Sequence, residues 1–212
     1  AVDPVLSAAA ARAYSEFPLL EDTRKALAAF VRRTLRREAA AVTVAVVVGP
    51  PRQMLMRESR RRRPDLVVLG TSGRGGLSKL FFGSTTEALL RRYHGAVLVV
   101  PPRCPHPDAR WPHGGVVAVV GPGPHRRARI SAASRMAEIF GAWLTVSIPD
   151  VRLSRTRWHR DRLAVLALPD AARIQTFRQG TVAYEFLRRS ALPVIVMRTG
   201  RRIGHVEARR AA

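Results

Sequence analysis

The sequence predicts an α/β protein built as two tandem open parallel-sheet α/β sandwich domains. Three observations carry the prediction. Short apolar, β-branched runs alternate with segments of helical spacing, the order that gives parallel strands with helices on their faces. A glycine-rich stretch, "GTSGRGGLSKLFFGST" at residues 70–85, sits between one such strand and the next helix. The frame also repeats: "LVVLG" aligns with "LAVLA", "GSTTEALLRR" with "GTVAYEFLRR" and "AVLVV" with "PVIVM", and Leu66 to Leu163 and Gly83 to Gly180 are both 97 residues apart. The second copy keeps the hydrophobic frame but has Ala167 where the first has Gly70, and Asp170 where it has Gly73.

Residues 1–17 read as the end of a strand and its following loop. Residues 19–37 form a helix, because Leu20, Thr23, Leu27, Phe30, Val31 and Leu35 recur near helical spacing. "AVTVAVVV" at 41–48 is apolar throughout, the pattern of a strand buried on both faces. "GPP" breaks it, and a short basic helix follows over 53–63, since prolines sit well at a helix start. Residues 65–69 are a second buried strand, 85–93 a helix and 96–100 a third strand. From 101 to 115 the chain is proline-rich without periodicity, as a linker is. The pattern then resumes with strands over 116–120, 143–148, 163–168 and 193–197. Helices fall over 130–140 and before the last strand, and 151–161 is a basic loop. The domain reading is 1–102, a linker at 103–115, 116–198, and a basic tail at 199–212.

Charge is the outlier: Lys and Arg number 37 against 15 Asp and Glu, a formal net charge of +22. Nearly all the cations are arginine. Two readings stand, a composition bias spread along the chain, or an acidic partner such as nucleic acid, anionic lipid or an acidic protein. The run Arg60–Arg63 fits both a solvated helix end and a patch for such a partner. One cysteine, Cys104, excludes an intramolecular disulfide framework and suits a reducing compartment. The longest apolar run is shorter than the roughly 20 residues a bilayer span needs, and no signal-peptide pattern opens the sequence. The six histidines show no metal spacing. Trp111, Trp143 and Trp158 are too scattered for a base-stacking platform.

The glycine stretch has the chemistry of an anion site. Glycines let successive N–H groups turn inward, and the following helix start adds unpaired donors and partial positive charge. Ser84 is a candidate N-cap, with Glu87 completing a capping box. Thr71, Ser72 and Thr85 remain to meet a phosphate, with Arg74, Gly75 and Lys79 beside them. The Walker and dinucleotide-fold fingerprints are both absent. What remains is G-x-x-G, nine residues, then G-[ST], formed by Gly70, Gly73, Gly83 and Ser84. The other reading of the loop is a tight structural turn that binds nothing.

That spacing after "DLVVLG" resembles the universal stress protein family, over "PDLVVLGTSGRGGLSKLFFGSTTEALLRRYHGAVLVVPP" and upstream through "VVVGPPRQML". The resemblance implies a fold of the adenine-nucleotide alpha-hydrolase-like type, in a tandem member whose first domain lacks its first strand and helix. It implies a cytoplasmic stress-response protein with ATP or a related adenine nucleotide as ligand. The site residues would be Gly70, Thr71, Gly73, Arg74, Gly75, Gly83, Ser84 and Thr85. The second copy, with a carboxylate at Asp170, is expected to bind none. No catalytic set accompanies the loop, so the expectation is no enzyme beyond slow ATP hydrolysis. The strands at 96–100 and 193–197 are the family's pairing edges, which implies an internal pseudo-dimer or a homodimer. The alternative function is an Arg-rich interaction module on nucleic acid, ribosome or an acidic protein.

Overall fold

A computed structural model describes residues 4–70, 84–101, 104, 112, 114–121, 123–148, 162–169 and 181–200. The chain divides into two compact units, Ala1–Pro50 and Pro51–Ala212.

The first unit is helical. Helix α1 runs Pro4–Leu35 and passes into a 3₁₀ segment, Arg36–Ala41. The expectation of a strand end and loop over 1–17 is thus corrected from Pro4 on. Pro4 supplies the fixed φ that suits a first helical position, and the "SAAAARAY" run has strong helix propensity. Arg36, at φ +47°, turns the chain out of α1. The strand expected over 41–48 is also corrected: 42–48 has no strand structure, and Val42, Val47 and Val48 are exposed. β-branched residues favour strands by packing on neighbours, and the described residues of this unit provide no ladder partner.

The second unit holds α2 (Pro51–Arg62), β1 (Leu66–Gly70), α3 (Ser84–Arg92), β2 (Ala96–Val100), β3 (Val116–Val119), α4 (Arg126–Ile139), β4 (Leu144–Ser147), β5 (Leu163–Leu168), α5 (Val182–Arg189) and β6 (Val194–Arg198). Pro51 opens α2, as its lost N–H allows. Each strand lies within two residues of its sequence prediction. The α/β class is borne out as one six-stranded sheet of order β1-β2-β6-β5-β3-β4.

Every pairing is parallel except one. Strands β1 and β2 pair parallel with Val67 opposite Val97, and β5 and β6 pair parallel with Ala164 opposite Val194. Adding the 97-residue offset to both members of the first pair gives the second, so the repeat in sequence is a repeat in register. The two strand pairs meet where β2 runs antiparallel to β6, through Val97–Val196, Leu98–Ile195 and Val99–Val194. These are the two strands singled out from the sequence as pairing edges.

Apolar side chains fill both faces of the sheet. On one, Leu89 and Leu90 of α3 and Tyr184 and Leu187 of α5 pack with Val97, Val99, Leu166 and Val196, and Leu55 and Met56 of α2 join them. On the other, Ala132, Ala133, Met136 and Ala137 of α4 cover Val116, Ala118, Val165 and Ile195. Strand β5 is buried at every residue, whereas β1, at the sheet edge, leaves Val68 58% exposed.

Candidate nucleotide loop

The glycine stretch leaves the C-terminal end of β1 and enters the N-terminus of α3. Both ends are fixed. Gly70 is the last residue of β1, in register with Val100. Thr86, in the first turn of α3, is buried, and its Oγ1 donates a hydrogen bond to the Gly70 carbonyl at 3.0 Å. The helix start is thereby tied to the strand end across the loop. Leu89 and Leu90, both fully buried, hold the rest of α3 on the sheet. Crevices at the C-terminal ends of parallel strands, faced by helix N-termini, are where open α/β sheets bind ligands.

Of the sequence-predicted residues, Gly70 stands at the strand end, Ser84 is exposed at the start of α3, and Thr85 is half-buried behind it. Thr71, Gly73, Arg74, Gly75 and Gly83 lie outside the described residues. Ser84 is the first residue of the helix rather than a residue before it. Glu87 ion-pairs with Arg91 one turn on, at 2.7 Å. Thr86 escaped the sequence reading. Its signal was a third consecutive hydroxyl facing the same way as the buried Leu89 and Leu90.

The corresponding place in the second half differs where the repeat predicts it. Thr181, the counterpart of Ser84, caps α5, its Oγ1 accepting from the Tyr184 N–H at 3.4 Å. Ala183 stands where the first half has Thr86, so that position offers no hydroxyl toward the end of β5. Ala167 replaces Gly70 and is buried. Asp170 lies outside the described residues.

Other chemistry is sparse. Among the described residues no group of three or more His, Cys, Asp or Glu is placed to hold a metal ion. No helix among them is long and apolar enough to cross a membrane. Partial burial pushes the Cys104 thiol above its usual range, away from reactive thiolate.

Comparison with known proteins bears on the same region. The model of the universal stress protein family matches residues 1–101. No curated protein matches the chain. Among solved structures, a universal stress protein from Archaeoglobus fulgidus DSM 4304 is similar at 16% identity and a TM-score of 0.48, covering 85% of this chain and 80% of its own. The "DLVVLG" strand, the G-x-x-G and G-[ST] glycines and the family match all fall in one segment, so residues 1–101 are similar to a domain of the universal stress protein family.

Proposed function

We propose that the chain is a cytoplasmic stress-response protein that binds ATP or a related adenine nucleotide through the Gly70–Ser84 loop. The second half serves as a non-binding structural partner. The observation that carries the reading is the Thr86–Gly70 hydrogen bond. It anchors strand end and helix start on either side of the glycine stretch, a frame that supports a phosphate cradle between them. Thr71, Arg74 and Thr85 would add hydroxyl and guanidinium donors to the phosphates. The second half lacks this tie and carries Asp170, which repels phosphate.

The matching register of β1–β2 and β5–β6 supports two tandem copies of one α/β frame, joined as an internal pseudo-dimer through β2 and β6. The role we propose is sensing or storage, with ATP hydrolysis slow at most. A thermal-shift series with ATP, ADP and adenosine tests the proposal. The melting temperature rises with ATP and ADP and stays flat with adenosine if the loop holds phosphate. A flat response to all three refutes it.

A further inference from the structure

We infer that the end of the sheet opposite the glycine loop is a docking rim for the phosphate backbone of duplex nucleic acid. The topology places it. Because β2 and β6 are antiparallel, the N-terminal ends of β1 and β2 lie at the same end of the sheet as the C-terminal ends of β3, β5 and β6. Helices α2 and α3 finish there, just before β1 and β2, and α4 begins there, just after β3.

Each of these helix ends carries arginine. The run Arg60–Arg63 closes α2 and Arg91 and Arg92 close α3, while Arg126 and Arg127 open α4 on the other face of the sheet. Between them, Arg198 at the end of β6 contacts the Nδ1 of His94, just before β2, which joins the two halves at this end. The acids at this end are Glu58, already engaged by Arg61 and Arg62, and Asp65. Arg60, Arg63, Arg92, Arg126 and Arg127 form no ion pair with a described residue and are exposed.

A composition bias toward arginine would load both ends of the sheet alike. The described residues of the other end also carry arginine, Arg52, Arg162, Arg188 and Arg189, but three carboxylates, Glu87, Glu138 and Glu185, stand at that end too, and Arg188 and Arg189 share Glu185. Among the described residues the basic excess is therefore larger at the rim. Two arginines in a row at the N-terminus of α4 also run against the helix dipole, which favours anions there. A bound polyanion would relieve that conflict.

The chemistry selects the partner. The rim is built of arginine without lysine, and the planar guanidinium fork matches phosphate oxygens. From β1 to β3 it spans about 20 Å at ~4.8 Å per strand, on the order of six base-pair rises. Among the described residues no exposed Phe, Tyr or Trp stands at this end, so those residues offer no platform of large rings for stacking single-stranded bases. Backbone contact without base readout remains.

The test is binding of a 20-base-pair DNA duplex by fluorescence anisotropy across a salt series. A rim variant, Arg60→Gln with Arg63→Gln, Arg126→Gln and Arg127→Gln, is compared with a control that removes as many charges from α1, Arg24→Gln with Lys25→Gln, Arg32→Gln and Arg33→Gln. The rim variant should bind about tenfold or more weakly at 0.1 M salt, and its log K against log salt slope should fall by up to about 3.6, near 0.9 for each of four lost phosphate contacts. The control should change affinity less than about threefold. Gly73→Asp should leave duplex binding intact, which separates this rim from the nucleotide loop. Equal losses in rim and control variants, no duplex binding by the parent chain, or equally tight capture of polyglutamate or phosphatidylserine vesicles through the rim would each overturn the inference.

Discussion

Leu98 and Ile195 stand opposite one another at the centre of the antiparallel ladder between β2 and β6. They are also counterparts under the 97-residue repeat, so this pair marks a local two-fold axis between the two strand pairs. The flanking pairs obey the same symmetry, Val97 with Val196 and Val99 with Val194. Without this junction each half would expose a strand edge rich in valine, a template for aggregation.

Val99 is 2% exposed and Val196 is 0% exposed. Changing both to lysine buries two unpaired charges in the seam, at a cost of more than about 3 kcal/mol. The double variant should unfold at markedly lower denaturant or separate its halves, read by chemical melts and hydrodynamic size. Unchanged size and midpoint would show that the seam contributes little.

Thr86→Val keeps the shape of the buried side chain and removes the hydroxyl that reaches Gly70. The carbonyl at the strand end then loses its side-chain donor, for a loss of about 1–2 kcal/mol in stability. ATP affinity should weaken as well, because the loop loses its anchor. A variant with parent-like affinity would mean the loop is held by other contacts.

Arg63 sits in the left-handed region at φ +46° just past α2, its N–H donating to the Ser59 carbonyl at 3.1 Å. Glycine adopts this conformation without the Cβ penalty. Arg63→Gly should raise stability by about 0.5–1 kcal/mol in urea melts while weakening duplex binding, so the two readouts move in opposite directions. A destabilised variant would show that the arginine side chain stabilises the turn by packing.

Hydrogen bonds from Arg61 and Arg62, and then their positive charge, hold the Glu58 carboxyl down at about 2. A depressed carboxyl contributes stability that is present above its unfolded value and lost as pH falls through the folded one. The parent chain should therefore exceed Glu58→Gln in stability at neutral pH, with the gap closing between about pH 4.5 and about 2. A side-chain carboxyl titration by NMR with a midpoint near 4.5 would contradict the pairing.

The sequence announced most of the sheet, because β-branched runs such as 163–168 and 96–100 are buried on both faces and have nothing else to be. It misplaced the first unit for a physical reason. The run at 42–48 has the composition of a buried strand, but strand structure needs a ladder partner, and alanines at 8–11 sustain a helix where a loop was expected. The site was legible as spacing, in Gly70, Gly73, Gly83 and Ser84. Its fastening was not, because a hydrogen bond from Thr86 back across 16 residues to Gly70 has no local pattern. Of the rim, the sequence offered the run Arg60–Arg63 but not the rest, for a similar reason. Its arginines are scattered in the chain, and only the antiparallel β2–β6 junction brings them to one end.

The most direct measurement is calorimetric titration of ATP into the chain beside Gly73→Asp, which writes the second copy's residue into the first. The account predicts saturable one-site binding by the parent at moderate salt, lost in the variant. Binding that survives Gly73→Asp and fades as salt rises would contradict it, and would assign the interaction to the arginines instead of the loop.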